Sequence, residues 1–312
     1  MITARHLDKR FGATRAVRDL SFDVRPGVVT GFLGPNGAGK STTLRLMLGL
    51  DRGGGETLFE GRRYEQLSRP LREVGAVLDA KAFHPTRTAR NHLRMLAAAA
   101  GTGDDRVDDV IATVGLSDVA DRRPGEFSLG MGQRLALGAA LLGDPAYLIL
   151  DEPANGLDPQ GIQWLRQLLR HLAGQGRAVL VSSHQLAEMA QMADELVVIG
   201  RGMLIADGPV QDFVSRFTQR HVVVRSPQAA LLAVLLREAE IGEVATQPDG
   251  CLLVADADLS AVGDVAGRHR ITLHELSERA ASLEQAFLEA TSEATDYRAG
   301  DVRASGRRKA RT

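Results

Sequence analysis

From Gly27 to Leu48 the chain reads GVVTGFLGPNGAGKSTTLRLML. A short apolar run leads into a glycine-rich loop, and the loop opens a helical pattern with Leu44, Met47 and Leu48 at i, i+3 and i+4. A strand that leaves through such a loop and returns along a helix belongs to a layered α/β fold. The loop itself, Gly34 to Ser41, satisfies G-x-x-x-x-G-K-[ST]. Its glycines let several backbone N–H groups converge on one concavity, and a phosphate chain there sits at the positive end of the following helix. The chain has 38 basic residues, of which only Lys9, Lys40, Lys81 and Lys309 are lysines. Lys40 therefore stands out: a compact ammonium suits β- and γ-phosphates as a point charge. The Ser41 hydroxyl suits Mg²⁺.

Further apolar runs repeat this alternation. AYLILDEP and AVLVSS read as buried strands, and ELVVIGRGMLIADG reads as two strands around a glycine-containing turn. QGIQWLRQLLRHLAGQG places Ile162, Leu165, Leu169 and Leu172 on one helix face, and HQLAEMAQMA reads as another helix. Strands alternating with helices predict a mostly parallel sheet covered on both faces. Residues 85–142 carry no strand pattern, and TARNHLRMLAAAA and RVDDVIATVGL, with Val107, Val110, Ile111 and Val114 in register, predict an inserted helical subdomain.

After Phe217 the pattern changes. RHVVVRS, PQAALLAVLLREA, a hairpin through Pro248-Asp249-Gly250, a helix near Leu259 to Gly267 and a strand RITLHE give the order β-α-β-β-α-β of a ferredoxin-like module. A closing helix is expected from Ser282, with Gln285 at capping-box spacing. The expected division is 1–216, an α/β domain; 217–292, a small α+β module; and 293–312, a basic tail expected to be disordered. The module lies outside every motif discussed here and is expected to be dispensable for them. Net charge is −1, which gives no global argument for a nucleic-acid partner. The lone Cys251 has no internal disulfide partner. Neither a signal peptide nor an apolar run near the ~20 residues of a membrane span is evident. Trp164, His6, His84, His92, His171 and His221 lack ligand spacing and are expected in core or solvated roles.

In LILDEP, Asp151 ends a strand, where a carboxylate serves Mg²⁺ directly or one layer out. Glu152, next in the chain, is placed to orient or deprotonate an attacking water beside a γ-phosphate.

The stretch FSLGMGQRLALGAALL, Phe127 to Leu142, resembles the signature sequence of the ATP-binding-cassette transporters, usually L-S-G-G-Q followed by a Q-R pair. Phe127-Ser128-Leu129-Gly130-Met131 aligns with the signature and Gln133-Arg134 with the pair; Leu129 and Met131 depart from it. The resemblance covers about Ile2 to Asp212. It implies a phosphate-loop NTPase cassette of the α/β class, with N-terminal antiparallel strands, that binds ATP and Mg²⁺ and hydrolyses ATP. It further implies ATP contacts from Gly34, Pro35, Asn36, Gly37, Ala38, Gly39, Lys40, Ser41 and Thr42, and adenine stacking on Phe11. His184 is implied at the γ-phosphate, with Glu152 the other catalytic group. Ser128, Gly130 and Met131 are implied to face the ATP of a second subunit, and Asp158 to lie at the dimer seam. Asp79 falls where the family has a glutamine, so with Ser41 and Asp151 it is a candidate metal ligand.

The resemblance implies a homodimer with two shared ATP sites that powers a membrane permease on another chain, from the cytoplasmic side of the cell membrane. The ending SLEQAFLEAT and Asp79 resemble drug- and antibiotic-export cassettes, which points to export of a lipophilic compound. Import, or a soluble cassette ATPase acting on ribosomes or DNA, are the alternatives. The single cassette and the short Ser41–Phe127 segment, without heptads, favour the transporter. A nucleotide sensor without turnover would not need Glu152.

Overall fold

A computed structural model of the chain describes residues 1–79, 81–84, 86–217, 221–279 and 283–291. β1 (Ile2–Phe11) pairs antiparallel with β2 (Thr14–Val24); β3 (Val29–Leu33) and α1 (Lys40–Met47) flank the glycine-rich loop; β4 (Gly54–Phe59) returns to β1. The short α2 (Pro70–Glu73) leads into β5 (Val74–Val77). Three helices follow: α3 (Ala89–Ala100), α4 (Asp104–Thr113) and α5 (Leu129–Leu141). Then come β6 (Tyr147–Leu150), α6 (Pro159–Gly174), β7 (Ala178–Ser183), α7 (Leu186–Met192), β8 (Glu195–Gly200), β9 (Met203–Pro209) and α8 (Val210–Phe217).

The central sheet has the order β5-β6-β7-β3-β8-β9, parallel except for β9. Every residue of β3, β6, β7 and β8 is buried, as continuous apolar runs require in a sheet covered on both faces. The strand period of two divides their side chains. Val29, Leu33, Leu148, Leu150, Val179, Val181, Leu196 and Val198 face the core shared with α3–α7. Phe32, Tyr147, Ile149, Leu180, Val197 and Ile199 face the core shared with α1 and the β2-β1-β4 sheet. No strand occurs among the described residues of 85–142, and Val107, Val110, Ile111 and Val114 are buried as their register predicts.

The C-terminal part contains β10 (His221–Arg225), α9 (Ala229–Glu238), β11 (Glu243–Thr246), β12 (Leu252–Ala255), α10 (Leu259–Arg268) and β13 (Glu275–Arg279). The antiparallel order β11-β12-β10-β13 is the ferredoxin-like arrangement, with its own core of Val222, Val224, Leu232, Leu236, Val254 and Val262. Two expectations need correction here. The last strand is not RITLHE: Ile271 N–H donates to Ala266 O at 2.9 Å to close α10, His274 N–H donates to Arg225 O at 2.8 Å, and the strand itself begins at Glu275 opposite Arg225. The closing helix α11 (Leu283–Thr291) does not belong to the module's core. Leu283, Ala286 and Phe287 are buried in the cassette core with Phe213 and Met189, so the chain leaves the cassette, builds the module and returns. The expected cap at Ser282 and the tail 293–312 lie outside the described residues.

Candidate functional site

Parallel strands deliver their carboxyl ends to one edge of a sheet, and that edge is where α/β folds bind ligands. Here β3 runs into the phosphate loop, β6 into Asp151 and Glu152, β7 into His184, and β5 into the segment carrying Asp79. Motifs separated by more than a hundred residues thereby meet.

The loop is fixed from both sides. Gly39 caps α1 in a left-handed conformation, φ 104°, and a Cβ there would collide with the Ala16 carbonyl oxygen on β2. Gly202 N–H donates to Ala38 O at 2.9 Å, and Arg18 N–H donates to Gly202 O at 2.8 Å. No side chain caps α1, so its first N–H groups remain available for an anion. Asn36, Gly37 and Ser41 are exposed beside Pro35 and Thr42, while Gly34 and Ala38 are buried. Lys40 is buried; its Nζ donates to Gly34 O at 2.7 Å and lies 4.0 Å from Glu152 Oε1. Burial pushes this ammonium below the usual lysine value, and the Glu152 and Asp151 carboxylates oppose that.

Glu152 has φ 49°, an uncommon conformation for a residue with a side chain and one that concentrates at functional sites. Its N–H donates to Ser182 Oγ at 2.9 Å, and the Ser182 hydroxyl donates to Asp151 Oδ1. Asp151 N–H donates to Val77 O at 2.7 Å. Glu152 Oε2 lies 2.6 Å from His184 Nδ1. Lys40, Asp151, Glu152, Ser182 and His184 thus form one connected cluster. Ser182 was not singled out in the sequence: a serine in VSS carries no periodic signal, and only the adjacency of β6 and β7 gives it a partner. On α7, burial pushes the Glu188 carboxyl above the ordinary glutamate value; the His184 imidazole opposes that and the Glu152 carboxylate adds to it.

The remaining candidates lie around this cluster. Phe11, at the end of β1, is 53% exposed, and Lys9 Nζ sits 4.8 Å from its ring centroid. Asp79 is exposed, and its Oδ1 accepts from Lys81 N–H at 2.8 Å, a local turn rather than a link to Asp151. It stands at the rim of a groove of about 450 Å³ lined by Leu78, Phe83, His92, Leu96 and Leu135. Ser128 caps α5, its Oγ accepting from Met131 N–H at 3.2 Å. Gly130 passes so close to Gly156 that a Cβ would lie 2.8 Å from the Gly156 carbonyl oxygen. Asp158 caps α6 by accepting from Gly161 N–H at 2.7 Å. The signature segment and the Asp158 loop therefore touch each other. Three clustered His, Cys, Asp or Glu ligands occur nowhere among the described residues. Mg²⁺ held by one or two protein oxygens plus substrate phosphates needs no such cluster, and the Ser41 hydroxyl and Asp151 carboxylate are hard donors of the right kind.

Comparison with known proteins agrees with this geometry. The family model described as ABC transporter matches residues 17–155. A second model, described as a domain of unknown function, matches residues 220–284. The chain is 34% identical over 299 residues to the uncharacterized ABC transporter ATP-binding protein YhcH of Bacillus subtilis, covering 94% of this chain and 96% of that protein. It is 34% identical over 258 residues to the bacitracin transport ATP-binding protein BcrA of Bacillus licheniformis, covering 81% and 84%. Among solved structures, an ATP-binding subunit of an ABC transporter matches with a TM-score of 0.64 at 28% identity, covering 70% of this chain and 93% of that one. The chain belongs to the ATP-binding proteins of the ABC transporter family and is an ATPase.

Proposed function

We propose that this ATPase hydrolyses ATP at the carboxyl edge of the β5-β6-β7-β3 strands and uses the energy to drive a membrane permease that exports an antibiotic-like or other lipophilic compound. No helix among the described residues is long and apolar enough to cross a membrane. ABC cassette subunits dimerise and work with membrane permeases. The likeness to the bacitracin transport protein supports transport of an antibiotic-like compound, and the ending SLEQAFLEAT supports export; the chain would lie at the cytoplasmic face of the membrane through its permease.

The observation that carries the site is the junction of Lys40, Glu152 and His184, with Glu152 4.0 Å from the ammonium and 2.6 Å from the imidazole. The phosphate loop, Gly34 to Thr42, would hold the triphosphate with its backbone N–H groups, and Lys40 would turn from the Gly34 carbonyl to the β- and γ-phosphates. Phe11 offers its free face to adenine. Ser41 and Asp151 would hold Mg²⁺, which supplies positive charge against the phosphate oxygens; Asp79 would reach it through water. Glu152 accepts a proton from the attacking water, whose oxygen bonds to the γ-phosphorus as the bridging oxygen leaves with ADP. His184 steadies the γ-phosphate. Ser128, Gly130 and Met131 of a second copy would close the site from the other side, with Asp158 at the seam.

Lys40→Ala tests the binding half of the reading. Losing a charge-assisted contact to phosphate should weaken ATP by about 2–4 kcal/mol. Equilibrium titration should show micromolar binding abolished; unchanged affinity would remove the phosphate-loop assignment.

A further inference from the structure

Leu129, one of the two departures from the signature pattern, has a partner in the loop that follows Glu152. It is the first residue of α5, directly after the Ser128 cap, and is 49% exposed. Its side chain lies over Gly156. A Cβ on Gly156 would fall against Leu129 Cγ and Cδ2 and 3.0 Å from Leu129 Cβ. Leu129 thus fills the place that a side chain at position 156 would take. Gly156 has φ 78°, a left-handed conformation that glycine enters at no steric cost. Gly130 comes close to the same residue, since its own Cβ would lie 2.8 Å from Gly156 O and 3.5 Å from Leu157 Cδ2. One large side chain and two close backbone approaches interlock the start of α5 with this loop.

The loop begins at Glu152. Asn155 N–H donates to Glu152 O at 3.1 Å, and Leu157 N–H donates to Ala154 O at 3.1 Å. Ala154 is buried, and Leu157 packs against the same core. At the far end, Asp158 Oδ1 accepts from Gly161 N–H at 2.7 Å and Asp158 O accepts from Ile162 N–H at 2.9 Å, which fixes the loop to α6. Hydrogen bonds and packing leave the chain from 152 to 158 little slack. Gly156 is its residue of greatest conformational freedom, so pinning Gly156 pins the turn.

Glu152 needs such pinning. A residue with a side chain at φ 49° persists only where its surroundings over-determine it. One hold is its N–H, which donates to Ser182 Oγ at 2.9 Å. A second is its carbonyl, which accepts from Asn155 N–H inside the turn that Leu129 covers.

We propose that Leu129 is a positioning residue: by filling the space over Gly156 it clamps the 152–158 turn to the signature helix and holds Glu152 in the conformation from which it engages water. This rests on the role proposed above for Glu152. Leu129 acts through the backbone of the turn.

Steady-state kinetics on the full chain, with thermal unfolding alongside, test it. Leu129→Ala empties the clamp at a half-exposed position and should leave the unfolding temperature nearly unchanged. It should lower kcat about fivefold and leave KM for ATP within about twofold. Leu129→Met has nearly the same volume and should retain most of kcat. Gly156→Ala should lower kcat about tenfold or more, through the clash and the left-handed φ together. In the Leu129→Ala background the clash is gone, and the same substitution should cost only about threefold. In the Glu152→Gln background, Leu129→Ala should accumulate ATP-bound dimers to the same extent as Glu152→Gln alone. Wild-type kcat in Leu129→Ala, or an equal loss from Gly156→Ala in both backgrounds, would overturn the clamp and leave the role of Glu152 standing. Loss of dimers on adding Leu129→Ala to Glu152→Gln would also overturn it, by assigning Leu129 to the seam between copies. Wild-type turnover in Glu152→Gln itself would instead remove the role of Glu152 on which the clamp rests.

Discussion

The cassette and the β10–β13 module are both sheets packed on helices, and they differ in what their strand directions do with polar residues. In the cassette, β5, β6, β7 and β3 are parallel, so residues that follow four different strands arrive at one edge. Lys40, Asp151, Glu152 and His184 meet there although they are far apart in sequence. In the module, antiparallel strands send successive ends to opposite edges, and the charges that do meet pair with each other. Arg225 binds Asp249 at 2.8 Å and Glu275 at 3.1 Å, all of them substantially exposed. Exposed pairs of this kind contribute little to stability. Parallel topology concentrates chemistry at one edge; the antiparallel module is bracketed by α8 and α11, which attach it to the cassette core.

That attachment gives the largest expected effect. Because α11 is buried in the cassette core, a chain ending near Asp212 loses Phe213, Leu283, Ala286 and Phe287 from that core. Each buried phenylalanine alone is worth about 3–5 kcal/mol, a large part of ordinary domain stability. Such a chain should unfold at much lower temperature or fail to fold. Replacing only residues 218–282 with a flexible linker keeps α8 and α11 together and should retain ATP affinity. Thermal unfolding and ATP titration of both chains decide the matter: equal stability of the two would mean that α11 does not hold the cassette, and loss of ATP binding in the linker chain, still folded, would give the module a direct part in the site.

The smallest expected effect lies at Asp79. Its carboxylate is exposed and accepts from Lys81 N–H in a local turn. Without Mg²⁺ a carboxylate there repels triphosphate, and with Mg²⁺ it can reach the ion through water. The Mg²⁺ dependence of ATP affinity should be steeper in the wild type than in Asp79→Asn, by a factor of about two to five. Identical dependence would place Asp79 outside the metal's reach.

Much of this was legible in the sequence, for identifiable reasons. Strands buried on both faces leave unbroken apolar runs, so β3, β6 and β7 were evident, and with them the positions of the residues just beyond their ends. The module's element order was legible from its hairpin and alternating pattern. RITLHE misled because Ile271 and Leu273 alternate as in a strand, whereas Ile271 is used to close α10. The spacing of Leu283, Ala286 and Phe287 marks a buried face without saying which core receives it. Ser182 was hidden for a similar reason: its partners Asp151 and Glu152 become neighbours only through the pairing of β6 and β7.

The central claim is that ATP is hydrolysed at sites closed between two copies, with Glu152 engaging the water. It is tested most directly by one measurement on Glu152→Gln: ATP turnover together with oligomeric state at saturating ATP and Mg²⁺. Glutamine keeps the size and polarity of the side chain and removes its basicity. Turnover should fall by about 10²-fold or more while ATP-bound dimers accumulate. Wild-type turnover would contradict the role of Glu152, and a chain that remains monomeric under those conditions would contradict the shared sites.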